Sequence, residues 1–335
     1  MGAREKRSRE KISRSAPARR WPDEEPSAEA VPPVLILNPA AGRGRAAREW
    51  ARVRDELRSW RTMPEVIETT HAGHGTELAK QAAAKGTSLV IAAGGDGSAH
   101  EVVQGLMEVD AGATGTAFAH LPLGTGCDLA RGLGLPRDPC GILAGLAEGR
   151  HAHLDIGIAD MSMGVDTVRR YFLNAATVGL GPTVARRVKA SPQLQRFGRH
   201  AYTIASLQEI FTARPYQLSW RTDNGQEGDG LVLHMFINNG PSVAGGMVPS
   251  PQASFGNGEL QVVIVGPLGL AAALLQFRRL DRKLPFTHPD IRSFPCRSID
   301  LDGPEIEMET DGEIAAGLPA RLSVRPGGLL VRLPA

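Results

Sequence analysis

The chain has 335 residues, 42% hydrophobic and 22% charged, enough for two soluble domains of ordinary size. Its net charge is only +2, and beyond residue 30 thirty bases balance thirty acids, which excludes the basic face that nucleic-acid binding needs. Three widely spaced cysteines, Cys127, Cys140 and Cys296, make neither a disulfide framework nor a zinc site, and no apolar run is long enough to span a membrane.

In chain order, residues 1–32 are rich in Arg, Ser, Pro and Glu, with eight bases in the first twenty positions and little to bury. This composition predicts a disordered tail, with a basic anchor for anionic lipid as the alternative. It lacks the apolar core of a secretory signal, so a reducing, cytoplasmic setting is expected, or a peripheral position on the inner membrane face.

Order is expected from Val34. Val34–Leu37 reads as a buried strand, Asn38–Gly44 as a glycine loop, and a helix follows from about Arg45. "PEVIETT" reads as a strand, "GTELAKQAAAKG" as a helix, "SLVIAAGGDGS" as a strand and loop, and "AHEVVQGLM" as the next helix. "TAFAHLPLGTGCDLARGLG" repeats the plan of strand, glycine loop and helix. Strands alternating with helices imply a parallel sheet, with its ligand crevice beyond the carboxyl ends of the strands.

From about Asp155 the pattern changes to short strands between turn residues, among them "DIGIADM", "RRYFLNAATVGL", "YQLSWRT", "GLVLHMFINNG", "GELQVVIVGP", "RSIDLDG", "EIEMETDGE" and "ARLSVRPGGLLVRL". Helical stretches interrupt the series near Arg199–Thr212 and Leu268–Arg282. The expected plan is an α/β nucleotide-binding domain over 33–152, then a mainly antiparallel β domain over 153–335 whose last strand is free to return to the first domain.

The stretch Gly94–Ser98, "GGDGS", places a carboxylate among glycines at the mouth of a strand where a helix begins. Glycines let backbone N–H groups approach an anion, and the helix N-terminus adds positive potential, so the setting suits phosphate. Asp96 would repel phosphate unless a cation sat between them, and a carboxylate with phosphate oxygens suits Mg²⁺. A Mg-nucleotide site follows, although no GxxxxGK[ST] loop is present. "NPAAGRG" and "PLGTGCD" share the setting: Asn38 can bond a nucleotide or a neighbouring loop, Thr125 offers a hydroxyl, and Gly124 and Gly126 offer open backbone.

"NPAAGRG", "GGDGS", "LPLGTGCDLARGLGLP", "LDIG", "FLNAATVGLG" and "METDGE" occur in that order. The series resembles the bacterial diacylglycerol kinase and related lipid kinase family, which includes sphingosine kinases. The resemblance implies a nucleotide domain, a β-sandwich-like C-terminal domain and an active site in the cleft between them, served by ATP and Mg²⁺. It implies that Gly94, Gly95, Asp96, Gly97 and Ser98 form the nucleotide loop, with Asn38, Gly124 and Thr125 lining the nucleotide. Asp311 and Glu313 would face the transferred phosphate, and Asp128 and Asp155 would join Asp96 in an acidic network around the cation. A cleft carboxylate could take the acceptor's proton, with Asp311 favoured and Glu313 the rival.

Two departures stand out. Cys127 replaces the asparagine of the family's GTxND, and "SFGNGEL" puts Gly256 and Asn257 where an acidic DDG usually supports a structural Mg²⁺. His71 and His74 read as a polar loop, and Asp155 could equally be a paired structural acid. Arg199–His200 reads as a helix cap or an acceptor contact, and Asn239–Met247 as a loop or one wall of a lipid pocket. The helix near Leu268–Arg282 reads as packed on the sandwich or touching anionic lipid. The expected function is a lipid kinase acting on a membrane-derived lipid at the membrane surface, diacylglycerol first, with exposed strands leaving a homodimer open. An NAD kinase and a non-catalytic nucleotide- or lipid-binding protein are the rivals.

Overall fold

The computed structural model describes residues 31–57, 64–110 and 115–335. The tail expected over residues 1–32 lies outside the described residues, apart from Val31 and Pro32.

The first lobe alternates strand and helix: β1 (Val34–Leu37), α1 (Ala41–Leu57), β2 (Glu65–Glu68), α2 (His74–Ala84), β3 (Leu89–Gly94), α3 (Asp96–Glu108), β4 (Ala117–Pro122), α4 (Asp128–Gly132) and α5 (Pro139–Ala147). Its four strands are parallel, in the order β2-β1-β3-β4. Helices cover both faces, so the strands are apolar at consecutive positions rather than alternating. Val90 and Ala92 of β3 pack towards α2 and α3, through residues such as Leu78, Val102 and Leu106. Leu89, Ile91 and Ala93 pack the other way, towards Trp50 and Val53 of α1 and Ile142 of α5. Gly42, Arg43 and Gly44 are left-handed, so the regular part of α1 begins near Arg45.

The second lobe opens with β5 (Arg150–Met163), β6 (Asp166–Phe172) and β7 (Ala175–Gly179). Three helical pieces follow: α6 (Leu180–Ala190), α7 (Pro192–Gln195) and α8 (Ala201–Ile210). Then come β8 (Tyr216–Thr222), β9 (Glu227–Val232), β10 (His234–Asn238), β11 (Leu260–Val265), α9 (Leu270–Asp281), β12 (Ile291–Cys296), β13 (Ser298–Asp302), β14 (Glu307–Thr310) and β15 (Glu313–Leu333). Neither α6 nor β12 stands out in the strand-like series. α6 is amphipathic, burying Val184, Ala185 and Val188 while Arg187 and Lys189 reach outward, and Gly179 at φ 98° turns the chain from β7 into it. The run "GLVLHMFINNG" is split between β9 and β10 at Leu233.

The 21-residue β15 ties the two lobes together. Its start pairs antiparallel with β14, its middle with β13, and Val331 near its end pairs parallel with Phe118 of β4. One sheet path therefore runs β12-β11-β10-β7-β14-β15-β4-β3-β1-β2, with a branch through β13, β8 and β9 and another through β5 and β6. The sandwich interior is filled by side chains such as Met161, Phe172, Trp220, Ile237, Val262 and Leu322. The fold is α/β with a parallel-sheet N-terminal lobe and a mainly antiparallel, sandwich-like C-terminal lobe.

Candidate active site

The carboxyl ends of β1, β3 and β4 bring the three glycine loops together. Leu123 N and Gly124 N donate to the Gly94 carbonyl at 2.8 and 3.0 Å. A Cβ on Gly124 would lie 2.4 Å from the Gly95 Cα, so the two loops touch backbone to backbone, and a side chain at Gly124 would push them apart. Asn38 is next to them: its N–H donates to the Ala93 carbonyl, and its Oδ1 accepts from Ala40 N at 3.1 Å, closing its own loop rather than bonding a neighbour. Arg45 crosses to the Gly124 carbonyl at 3.5 Å.

Asp96 opens α3, yet its carboxylate serves another helix. It accepts Asp128 N at 3.0 Å and Leu129 N at 3.1 Å, capping α4 across the loop contact. Each oxygen takes one amide and keeps a lone pair for a further partner. Asp128 is buried beside it, bonded to the Arg131 guanidinium and accepting Gly245 N of the second lobe at 2.7 Å. Burial first, then the nearby Asp96 charge, pushes the Asp128 carboxyl up to about 7. Cys127 stands between the loops at φ 52°, a left-handed conformation that asparagine tolerates better than cysteine. Burial and the Asp96 charge push its thiol up to about 12, so it stays protonated and unreactive.

The β14–β15 turn supplies the opposite wall. Asp311 sits at φ 50°, and its side chain is only 2% exposed. Its oxygens accept Leu173 N at 2.7 Å, Asn174 N at 2.8 Å and Ala175 N at 3.2 Å, and His100 Nδ1 stands 3.3 Å away. Asp311 lines the cleft, but these contacts commit its oxygens to anchoring the turn, so the acid expected as the base is the more encumbered of the two. Glu313, two residues on, is 46% exposed, holds Lys189 Nζ at 2.6 Å, and comes within 3.8 Å of where a Cβ on Gly97 would stand. Glu313 therefore faces the nucleotide loop across the cleft.

Asp155 is not part of this group. It does not line the cleft, and its carboxylate accepts Gly258 N at 2.6 Å and Gly327 N at 2.8 Å. Those amides hold loops against β5, and Asp155 stands outside the cleft that Asp96 and Asp128 line, so the expected shared ligation gives way to a structural role. His71 and His74 stack at 4.7 Å beside Thr70 and away from the cleft. Asn257 closes its own turn by accepting Glu259 N at 3.2 Å. Gly198, which leads into Arg199 and His200, lines the cleft.

The cleft encloses about 470 Å³. One side carries Gly95–Ser98, Gly124–Gly126, Asp96, Asp128 and Glu313. The other is apolar, with Leu180, Val184, Ile210, Phe236, Phe277 and Leu280. Met247 and Val243 from the Asn239–Met247 segment also line it.

Sequence reasoning missed three groups here. Glu309 lines the cleft, accepting the Thr177 hydroxyl at 2.7 Å and Gly312 N, and burial pushes its carboxyl up to about 7. Tyr202 lines it as a phenol kept protonated by burial and by the Glu309 charge. Asn174 lines it too, buried, with an Oδ1 that has no protein partner. Glu309 adjoins the "TDGE" motif, so its position was a usable signal. Asn174 lies in the "FLNAATVGLG" motif, so it too was marked, while Tyr202 gave no signal.

No group of three or more His, Cys, Asp or Glu side chains among the described residues is placed to hold a metal ion alone. Asp96 and Asp128 are two adjacent hard donors. They suit a Mg²⁺ whose other ligands come from phosphate and water, the usual pattern for that ion.

Residues 32–159 match the diacylglycerol kinase catalytic domain, and residues 174–333 match the YegS C-terminal NAD kinase beta sandwich-like domain. The "Probable lipid kinase YegS-like" of Chromohalobacter salexigens is 30% identical over 267 residues, 79% of this chain and 82% of that protein. The "Probable lipid kinase YegS" of Salmonella schwarzengrund is 30% identical over 312 residues, 90% of this chain and 95% of that protein. A diacylglycerol kinase crystal structure from Bacillus anthracis str. Sterne has the same fold, at a TM-score of 0.67 and 21% identity, covering 90% of this chain and 96% of that one. With both domains matched in order and relatives at this identity across most of their length, the chain belongs to the YegS-like lipid kinase family, a diacylglycerol kinase catalytic domain followed by a YegS-type sandwich.

Proposed function

We propose that the protein is an ATP-dependent lipid kinase that transfers the γ-phosphate to a lipid hydroxyl, with diacylglycerol as the leading acceptor and phosphatidic acid as its product. The observation that carries this reading is the two-sided cleft. Glycine loops with open N–H groups form one wall, and Leu180, Ile210, Phe236, Phe277 and Leu280 form the other. A phosphate-binding wall facing an apolar one suits a reaction between a nucleotide and a lipid.

The loops around Gly95 and Gly124 would hold the phosphates by their backbone, with Thr125 and Ser98 adding hydroxyls. Mg²⁺ held by Asp96 and Asp128 would supply the charge neutralisation on which phosphoryl transfer depends. Glu313, with Oε2 on Lys189 and Oε1 towards the nucleotide loop, is the carboxylate placed to take the proton as the acceptor oxygen bonds to the γ-phosphorus and the bond to the leaving ADP breaks. Arg131 and Gly245 fix Asp128, while Asp311 and Glu309 fix the turn that carries Glu313.

The test is a kinase assay with labelled ATP and Mg²⁺ against a panel of dispersed lipids and against NAD, with mass spectrometry of the product. A phosphorylated lipid, diacylglycerol first, is expected. Label transferred to NAD and to no lipid would replace this reading with NAD phosphorylation. No turnover on any acceptor would leave a binding protein.

A further inference from the structure

The helices that close the apolar end of the cleft have a second face. Tyr202, Ser206 and Ile210 of α8, with Phe277 and Leu280 of α9, line the cavity. The two helices meet where Thr203 Oγ1 donates to Asp281 Oδ1 at 3.4 Å. On their outer side, Leu275 is 57% exposed and Leu270 48%. Phe211, just past α8, is 63% exposed, and Leu284, just past α9, is 45% exposed. Large apolar groups gathered on two neighbouring helices mark a contact surface rather than a solvated one.

Charge indicates what the surface contacts. Ala271, Leu275, Arg278 and Arg282 follow one another at helical spacing along the exposed stripe of α9, so the stripe runs from apolar to cationic. Between Pro267 and Pro289 there are four bases and a single acid, Asp281, and that acid accepts the Thr203 hydroxyl. Arg279 donates to the Pro285 carbonyl at 2.8 Å. Arg278, Arg282 and Lys283 form no ion pair with a described residue. Exposed leucines beside unpaired cations, on a helix too short and too charged to cross a bilayer, have the chemistry of an interfacial helix on anionic lipid.

We propose that the outer face of α8 and α9, centred on Leu270, Leu275, Arg278 and Arg282, is a membrane-docking surface that seats on anionic headgroups. The inner faces of the same helices wall the apolar end of the cleft, so docking sets that end against the bilayer that holds the acceptor. Its purpose thus rests on the lipid-kinase reading, while its existence is measured by binding alone.

The full chain is floated with vesicles of phosphatidylcholine, and of phosphatidylcholine with about a third phosphatidylglycerol. Binding is expected to the anionic vesicles and to weaken with salt. Two double variants, Arg278→Glu with Arg282→Glu and Leu270→Ser with Leu275→Ser, are each expected to reduce partitioning about tenfold or more. Their thermal midpoints should match the parent, since all four side chains are exposed.

Parent-like binding in both variants would overturn the proposal and assign vesicle binding elsewhere, as to the basic residues 1–20. A dimer that both variants dissociate, with no vesicle binding by the parent, would overturn it in favour of self-association. Binding lost in the variants while the parent phosphorylates no lipid would keep the surface and retire the kinase reading. Lipid turnover with unaltered vesicle binding in the variants would do the reverse.

Discussion

Asp311 and Glu313 are two residues apart and carry the same chemical group, yet their surroundings divide the work. Glu313→Gln is expected to cut turnover by about 10²–10⁴-fold, with nucleotide affinity unchanged by calorimetry. Asp311→Asn is expected to act on stability, because an amide cannot accept all the N–H groups of Leu173, Asn174 and Ala175. A loss of about 2–4 kcal/mol in denaturant unfolding is predicted, from buried donors left unpaired. A stable Asp311→Asn with no turnover would return the base role to Asp311. The motif made both acids visible in the sequence. Which one keeps an open oxygen was not visible, since it depends on a left-handed turn and on amides of the distant β6–β7 link.

Glu309 belongs to the same turn and gives a pH-dependent signature. Its carboxyl rises from 4.5 to about 7 on folding, chiefly through burial. Between those values the folded chain keeps a proton that the unfolded chain has released, so this contribution to stability is greatest at low pH and falls as pH rises through 7. Glu309→Gln mimics the neutral acid. Its thermal midpoint relative to the parent is expected to climb as pH rises from about 5 to about 8. The variant-minus-parent difference isolates Glu309 from Asp128, which shifts in the same direction. A difference that is flat with pH would show that Glu309 stays ionised throughout.

At the scale of elements, the glycine loops were the most legible feature, because strand, loop and helix are contiguous in the chain. Their mutual contact was not, because Gly95 and Gly124 meet only after β3 and β4 pair. Gly124→Ala is expected to weaken ATP binding by about 1–3 kcal/mol, since the added Cβ meets backbone that cannot yield without parting the loops. Unchanged affinity in calorimetry would remove the loop contact from the account of nucleotide binding. α6 was hidden because it runs straight on from β7 with no side-chain cap; Gly179, Gly181 and Pro182 are the only local marks of the change. Asp155 shows the opposite failure. A motif acid lies near the others in sequence, but β5 carries it to loops at Gly258 and Gly327 instead of the cleft.

For the whole molecule, β15 makes the two lobes one sheet, and the cleft is the seam where the parallel half meets the antiparallel half. The change from helix-strand alternation to short strands near Asp155 revealed two kinds of architecture. The single pairing of Val331 with Phe118, more than 200 positions apart, left no local trace. The same seam sets six acids, Asp96, Glu101, Asp128, Glu309, Asp311 and Glu313, around one cavity, a field that triphosphate can enter only with cations. The central claim is that phosphate lies on the glycine wall of this cleft and lipid on its apolar wall. A crystal structure with Mg²⁺, a non-hydrolysable ATP analogue and a short-chain diacylglycerol tests it most directly. The account predicts phosphates against the N–H groups of Gly95–Ser98 and Thr125, and an acyl chain between Ile210, Phe277 and Leu280. Phosphates bound away from those loops, or a lipid chain outside the cleft, would contradict it.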